Sequence, residues 1–189
     1  LEDIEGALWS NKLIDEARLP YDTERELIQI IVAIDPAVTA NENSDETGIV
    51  VVGKDANNEY YVLEDLSGKH SADGWGKIAI KAYYEWEADR IVAEVNNGGD
   101  LVERLIRNID MNVPYRSVRA SRGKMVRAEP IAALYEQRRV HHIGVFEELE
   151  TQMCSYTGQN KPSPDRLDAL VWGLSELSKS RGIVNWRIS

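Results

Sequence analysis

Short apolar runs broken by turn-forming residues predict three strands in the first third of the chain. Residues 29–35 are rich in β-branched side chains, which predicts a strand. Pro36 disfavours helix at Asp35 and marks the end of this strand. Residues 48–53 form a continuous apolar run, which predicts a strand buried on both faces. A turn then leads into a third strand at 60–64. This order predicts an antiparallel meander.

The rest of the chain alternates between helical and extended patterns. Strands are predicted at 90–95 and 115–118, a short extended piece at 140–143, and helices at 72–87, 99–108, 124–138, 145–154 and 164–178. A meander followed by βαβ crossovers gives a mixed five-stranded, or slightly larger, sheet with helices on both faces. The pattern therefore predicts an α/β domain of ribonuclease H-like fold over residues 27–189. Residues 1–26 are polar and acidic, which indicates a linker or lead-in segment.

The composition is that of an ordinary globular domain. Of the 189 residues, 43% are apolar and 29% are charged, and this length is sufficient to bury a core. The longest apolar runs are too short to span a bilayer, and residues 1–20 lack the pattern of a signal peptide. We therefore expect a cytoplasmic protein with no membrane partner. The single cysteine, Cys154, excludes an intramolecular disulfide and a Cys-based zinc site.

The charge is distributed unevenly. The net charge of −10 argues against a polyanionic partner, but residues 1–100 carry −14 and residues 101–189 carry +4. Nine basic residues against three acidic ones lie within 104–139. Such asymmetry indicates contact with nucleic acid, although solvated helix faces would also explain it.

Four acidic residues lie where this sheet would bring them together. Asp35 ends the first predicted strand, and Glu94 is near the end of the fourth, its expected neighbour. Asp165 and Asp168 are three residues apart on the last helix and share one of its faces. Clustered carboxylates repel one another unless a cation is present, and Mg²⁺ and Mn²⁺ prefer such ligands. Two such ions about 3.5–4 Å apart can promote phosphoryl displacement.

Each carboxylate also has a purely structural explanation to consider. Asp165 suits the first turn of a helix, where the macrodipole favours an acidic side chain. Asp35, before Pro36, could form a turn. Glu94 is hardest to explain in this way, because it interrupts an apolar run in a central strand, and a charge there requires a partner.

At these positions the chain resembles the C-terminal nuclease domain of the large terminase subunit of tailed bacteriophages and prophages. The resemblance covers nearly the whole chain, and its pieces are each short but occur in the order and spacing of that family. They are Gly6-Ala7-Leu8-Trp9, Ile34-Asp35-Pro36-Ala37, Glu94-Val95-Asn96-Asn97-Gly98-Gly99, Arg127-Ala128-Glu129-Pro130-Ile131 and Ser163-Pro164-Asp165-Arg166-Leu167-Asp168-Ala169-Leu170-Val171-Trp172.

The resemblance implies a metal-dependent DNA endonuclease that cuts concatemeric viral DNA during packaging, in the cytoplasm of the bacterial host. Carried over residue by residue, it implies that Asp35, Glu94 and Asp168 bind two Mg²⁺ or Mn²⁺ ions, with Asp165 in second place. The implied partners are double-stranded DNA and, in the full protein, an ATPase domain joined through residues 1–26, the small terminase subunit and the portal.

Basic residues at the start of the helix predicted at 124–138, and just before it, are candidates for DNA contact. They are Lys124, Arg127, Arg119 and Arg122, and each could instead be a solvated side chain. No G-x-x-x-x-G-K-[ST] motif occurs, so we do not expect this chain to hydrolyse ATP.

Three alternatives remain open at the level of sequence. A Holliday-junction resolvase or a transposase core shares the acidic constellation. A nucleotide-binding domain of the actin and sugar-kinase type shares the strand order, but the loop at 37–45 is acidic and has no glycine to cradle a phosphate. A non-catalytic module that docks to the portal or the packaging motor would use the acidic half of the chain.

Overall fold

The computed structural model describes residues 3–37, 46–95, 100–121, 123–159 and 164–179. The strands in these ranges are β1 (Leu27–Asp35), β2 (Gly48–Asp55), β3 (Tyr60–Asp65), β4 (Arg90–Glu94), β5 (Tyr115–Val118) and β6 (Val140–His142). The helices are α1 (Asn11–Ala17), α2 (Ala72–Glu85), α3 (Asp100–Ile109), α4 (Lys124–Glu136), α5 (Glu147–Cys154) and α6 (Asp165–Lys179).

The strands form one mixed sheet in the order β5-β4-β1-β2-β3-β6. The meander is antiparallel, as predicted, and β4, β5 and β6 each pair in parallel with a neighbour. The extended piece predicted near residue 140 is a sixth strand, because it pairs with β3. The predicted α/β ribonuclease H-like fold is confirmed. Pro130 lies inside α4 without dividing it.

Two apolar cores lie on opposite faces of the sheet. Side chains alternate along a strand, so Val32 and Ile34 pack on the face that α2 covers, whereas Ile31 packs on the face that α6 covers. Helix α6 lies directly on β1 and β2, and a methyl group on Gly173 would come within 2.8 Å of Val52 Cγ2. This close approach makes α6 the central helix of its face.

The predicted lead-in segment contributes to the α6-side core. Trp9 and Ile14 are each 1% exposed and belong to that core. Leu8 N donates to the Tyr156 carbonyl at 3.0 Å. The segment therefore packs as part of this domain. Its connection to an ATPase domain stays a prediction. Among the described helices, none has the length and apolar character needed to cross a membrane.

A buried polar network ties this segment to the rest of the fold. Arg18 forms an ion pair with Glu150 on α5, and the Phe146 N–H donates to the same carboxylate at 2.7 Å. His142 is completely buried beside it, with Nδ1 3.7 Å from Glu150 Oε2, an electrostatic contact too long for a hydrogen bond. The other ring nitrogen pairs with the Tyr135 hydroxyl at 2.8 Å.

Candidate active site

Asp35 and Glu94 end two neighbouring strands on the same face of the sheet. Ile34 pairs with Ala93, so the two acidic residues that follow stand side by side. Both continue the alternation that buries Ile31 and Val92 against α6. The predicted convergence of these two carboxylates at one end of the sheet is what the strand register produces.

The start of α6 is set on the sheet by a glycine. Gly48 is the first residue of β2 and pairs with Asp35 across the ladder. A methyl group on Gly48 would overlap the Asp165 carbonyl, lying 2.8 Å from its carbon atom and 3.0 Å from the Ala169 Cβ. Only glycine allows α6 to begin this close to the end of β1. The helix thereby brings Asp168 to the side of the sheet where Asp35 and Glu94 project.

Asp168 is buried and is paired with a lysine. It is 6% exposed, and the Lys124 ammonium, at the start of α4, donates a hydrogen bond to its Oδ2 atom. Burial alone would lower the pKa of Lys124, but the hydrogen bond to Asp168 and the charges of Asp168, Asp35 and Glu94 outweigh it and raise the pKa. One cation therefore lies within electrostatic reach of all three carboxylates.

The pKa of Asp35 shows how strongly the carboxylates interact. Burial is the largest cause that raises it well above its ordinary value, and the charges of Asp168, Glu94 and Asp165 raise it further in that order. Lys124 acts in the opposite direction and does not cancel the effect. The four predicted acidic residues thus form one electrostatic cluster, to which Asp165 contributes least.

Glu94 is held by a tryptophan. It is 9% exposed, and its Oε2 atom accepts a hydrogen bond from Trp172 Nε1 at 2.8 Å. The Arg127 guanidinium lies over the indole ring, 4.6 Å from its centroid. A buried carboxylate needs such a partner, and here the partner also fixes the position of a basic side chain predicted to contact DNA.

The predicted basic residues flank the carboxylate cluster to different degrees. Lys124 contacts it directly, and Arg127 is joined to it through Trp172. Arg119 is exposed beyond the end of β5 and lines a pocket together with Arg127. Arg122 lies outside the described residues, as do residues 96–99 of the second acidic motif.

The cluster suits a hard divalent cation in its chemistry. The donor set consists of carboxylate oxygens, which Mg²⁺ and Mn²⁺ prefer. Repulsion among these carboxylates contributes to the raised pKa of Asp35, and a bound cation would relieve it. Within the described ranges, no three His, Cys, Asp or Glu side chains already stand in metal-holding geometry. In this arrangement the Lys124 ammonium supplies the compensating positive charge.

Two residues of the site escape prediction from the sequence. From the sequence, Trp172 is predicted only to be a core or rim residue. The partner of its indole N–H cannot be predicted, because Glu94 is 78 residues away along the chain. Gly48 is predictable only as the start of a strand. Its position at the edge of an apolar run is the one feature that could indicate its role, because a glycine in a strand often marks the close approach of another backbone.

The α/β sheet, with a carboxylate cluster at the ends of the neighbouring strands β1 and β4, defines a ribonuclease H-like domain. The family model described as "Terminase RNaseH-like domain" matches residues 32–177. The chain belongs to this family. The resemblance to the nuclease domain of the large terminase subunit is thereby confirmed.

Solved large-terminase structures share this fold at low sequence identity. The large terminase of a thermophilic bacteriophage, solved in complex with ADP, matches with a TM-score of 0.69 and 14% identity, over 95% of this chain and 46% of that one. The P22 large terminase nuclease domain matches with a TM-score of 0.66 and 14% identity, over 95% of both chains. The chain therefore spans less than half of the first of these proteins. No curated protein matches it.

A third structure was solved with a divalent metal. The large terminase nuclease from the thermophilic phage G20c with bound cobalt matches with a TM-score of 0.61 and 12% identity, over 92% of this chain and 98% of that one. At this identity the match establishes a common fold.

Proposed function

We propose that this chain is a divalent-metal-dependent endodeoxyribonuclease of a phage DNA-packaging motor. The observation that carries the proposal is the convergence of Asp35, Glu94 and Asp168 into one electrostatic cluster at the end of the sheet. Membership of the terminase family and the metal-bound G20c nuclease support it. The substrate is double-stranded DNA, in the form of concatemeric viral genomes.

In this proposal Asp35, Glu94 and Asp168 hold two ions, Mg²⁺ or Mn²⁺, with Asp165 at the edge of the site. Such ions, when bound, stabilise the charge on the attacking and leaving oxygens of an in-line displacement. Asp35 and Glu94 are anchored in strands, so their positions are set by the sheet register. Asp168 is on a helix pressed against that sheet, which makes the arrangement rigid.

The basic residues bring the DNA backbone to the carboxylates. Lys124 already donates to Asp168, so a phosphate bound at the cluster lies within reach of its ammonium group. Arg127 and Arg119 line the neighbouring surface, and Arg122 belongs to the same proposed set. Contacts to phosphate position DNA without reading its sequence, which suits an enzyme that must cut many sequences.

Membership of the terminase family supports a wider context for this proposal. In the full protein we place an ATPase domain before this one, connected through residues 1–26, with the small terminase subunit and the portal as further partners. The reaction would then take place in the cytoplasm of the bacterial host.

Nicking of supercoiled plasmid tests the proposal. The wild-type chain is compared with Asp168→Asn in Mg²⁺, in Mn²⁺ and in EDTA, and Asp73→Asn is the control, since Asp73 is an exposed carboxylate on α2, across the sheet. We expect metal-dependent cleavage that Asp168→Asn abolishes and Asp73→Asn retains. Cleavage that survives Asp168→Asn would refute the site. A folded wild-type chain that cleaves with neither metal would favour the docking-module alternative.

A further inference from the structure

A basic pocket lies beside the carboxylate cluster, between the end of β5, α4 and α6. Its volume is about 360 Å³. The residues that define this basic pocket are Arg119, Ser121, Arg127, Trp172, Ser175 and Lys179. Its full lining holds three cationic side chains, three serine hydroxyl groups, of which Ser178 supplies the third, and the apolar side chains of Val126, Pro130 and Ile131. No acidic residue is among its described lining residues.

Among the residues that the structure describes, the basic side chains near this pocket outnumber the carboxylates that pair with them. A carboxylate next to the pocket on α6 is that of Glu176, which is 2% exposed. It is shared among Arg116 at 3.5 Å, Lys179 at 3.7 Å and Arg90 at 3.9 Å. A single carboxylate cannot neutralise three basic side chains. The Lys179 side chain is also 65% exposed, so its ammonium can reach an incoming anion.

The basic pocket and the carboxylate cluster share one side chain. The Trp172 ring lines the pocket and supports the Arg127 guanidinium, while its N–H holds Glu94. An anion bound by Arg127 therefore lies one indole ring away from a carboxylate proposed to hold metal. Lys124 and Arg127 are one turn apart on α4, which makes the cationic surface continuous from Asp168 to the pocket.

We propose that the basic pocket binds a backbone phosphate of the DNA strand, close to the phosphate held at the carboxylate cluster. This inference rests on the proposed function and adds Lys179 and Ser175 to the residues that contact DNA. Guanidinium, ammonium and hydroxyl donors are the groups that bind phosphate oxygens in protein–DNA complexes. DNA is a better occupant than a free anion, because the cationic surface extends beyond one phosphate, from Lys124 to Lys179.

Binding without cleavage tests this inference. Fluorescence anisotropy of a labelled duplex in EDTA gives Kd for the chain, for Lys179→Gln and for Ser175→Ala over a series of salt concentrations. Lys77→Gln is the matched control, because Lys77 is also 65% exposed and is paired with an acidic residue on its own helix. That helix, α2, lies on the opposite face of the sheet from the basic pocket. A parallel arm adds inorganic phosphate as a competitor at constant ionic strength.

We expect Lys179→Gln to weaken binding about threefold and to reduce the slope of log Kd against log salt by about 0.9, the loss of one phosphate contact. Ser175→Ala should weaken binding with little change of slope, and Lys77→Gln should match wild type. Identical Kd and slope for Lys179→Gln and Lys77→Gln would overturn the inference. So would displacement of DNA by inorganic phosphate at concentrations comparable to those of the DNA phosphates, since that would identify a free-anion site.

The inference and the proposed function fail separately. If the wild-type chain cuts plasmid but Lys179→Gln binds duplex like Lys77→Gln, the proposed nuclease function stands and the phosphate-binding role of the pocket is rejected. If the chain does not cut plasmid but its duplex binding depends on Lys179, the phosphate-binding role of the pocket stands and the proposed nuclease function is rejected.

Discussion

Trp172 Nε1 donates a hydrogen bond to Glu94 Oε2 at 2.8 Å, across 78 residues of sequence. The bond joins α6 to the end of β4 inside the proposed metal site. It satisfies a carboxylate that is 9% exposed and fixes the direction in which the second oxygen points. Trp172 is therefore a positioning residue, and loss of its N–H, with the ring retained, should lower the rate of the chemical step.

Trp172→Phe should lower the cleavage rate about tenfold, the usual cost of losing a hydrogen bond to a metal ligand. Phenylalanine keeps the ring under Arg127, so duplex affinity in EDTA should change little. Trp75→Phe is the control, because Trp75 is buried in the core on the opposite face. Equal rates for the two variants in the plasmid assay would show that the hydrogen bond has no positioning role.

Gly48→Ala should destabilise the protein by about 1–3 kcal/mol, since the added methyl group overlaps the Asp165 backbone and must push α6 away. Displacement of α6 also moves Asp168, so cleavage should fall by more than the unfolded fraction explains. Urea unfolding and plasmid nicking measure the two effects. Gly123→Ala, at a position with open space around it, should leave stability nearly unchanged. A stable and fully active Gly48→Ala protein would contradict the close packing.

Lys124→Gln should have opposite effects on metal and on DNA. Removing this cation leaves the carboxylates uncompensated, so Mn²⁺ affinity should rise. Cleavage should fall, because a phosphate loses its ammonium partner at Asp168. Calorimetric Mn²⁺ titration and plasmid nicking give the two signs, and Lys81→Gln on α2 is the control. Weaker Mn²⁺ binding in Lys124→Gln would mean that the lysine supports the metal site instead of competing with it.

Glu150 makes stability depend on pH. Burial would raise the pKa of this carboxyl, but His142, Arg18 and the Phe146 N–H outweigh it and lower the pKa from 4.5 to about 2. A lowered folded-state pKa gives stability that is present above 4.5 and is lost as the pH falls toward 2. Glu150→Gln should therefore cost roughly 3 kcal/mol at neutral pH and progressively less below pH 4.5.

Urea unfolding at several pH values between pH 3 and pH 7 measures this trend. That range includes the upper part of the interval between the folded pKa of about 2 and the ordinary value of 4.5. Glu147→Gln, an exposed position on the same helix, is the control and should have little effect at any pH. A pH-independent cost for Glu150→Gln would show that packing, and not the charge of the carboxylate, accounts for its contribution.

Much of this structure is predictable because its patterns are local. Residues 48–53 of β2 form an uninterrupted apolar run, and Glu94 is conspicuous as a charge at the end of a similar run in β4. The pairing of β6 with β3 is not predictable in the same way, because a three-residue strand carries almost no periodicity. The burial of Trp9 is also hidden, since the segment around it is polar and acidic.

The site follows the same division. Asp35, Glu94, Asp165 and Asp168 can be placed together from strand ends and helix spacing alone. The contacts of Lys124 with Asp168 and of Trp172 with Glu94 depend on how α4 and α6 pack on the sheet. Such long-range packing leaves no mark in the local sequence, so the residues that orient the carboxylates emerge only from the structure.

Mn²⁺ binding to the carboxylate cluster tests the central claim most directly. Electron paramagnetic resonance counts free and bound Mn²⁺ for the wild-type chain, for Asp35→Asn and for the control Asp73→Asn, without requiring DNA or cleavage. We predict saturable binding by the wild type and the control, and a loss of about 10-fold or more in affinity for Asp35→Asn. Equal binding by all three proteins would place the metal elsewhere and contradict the account.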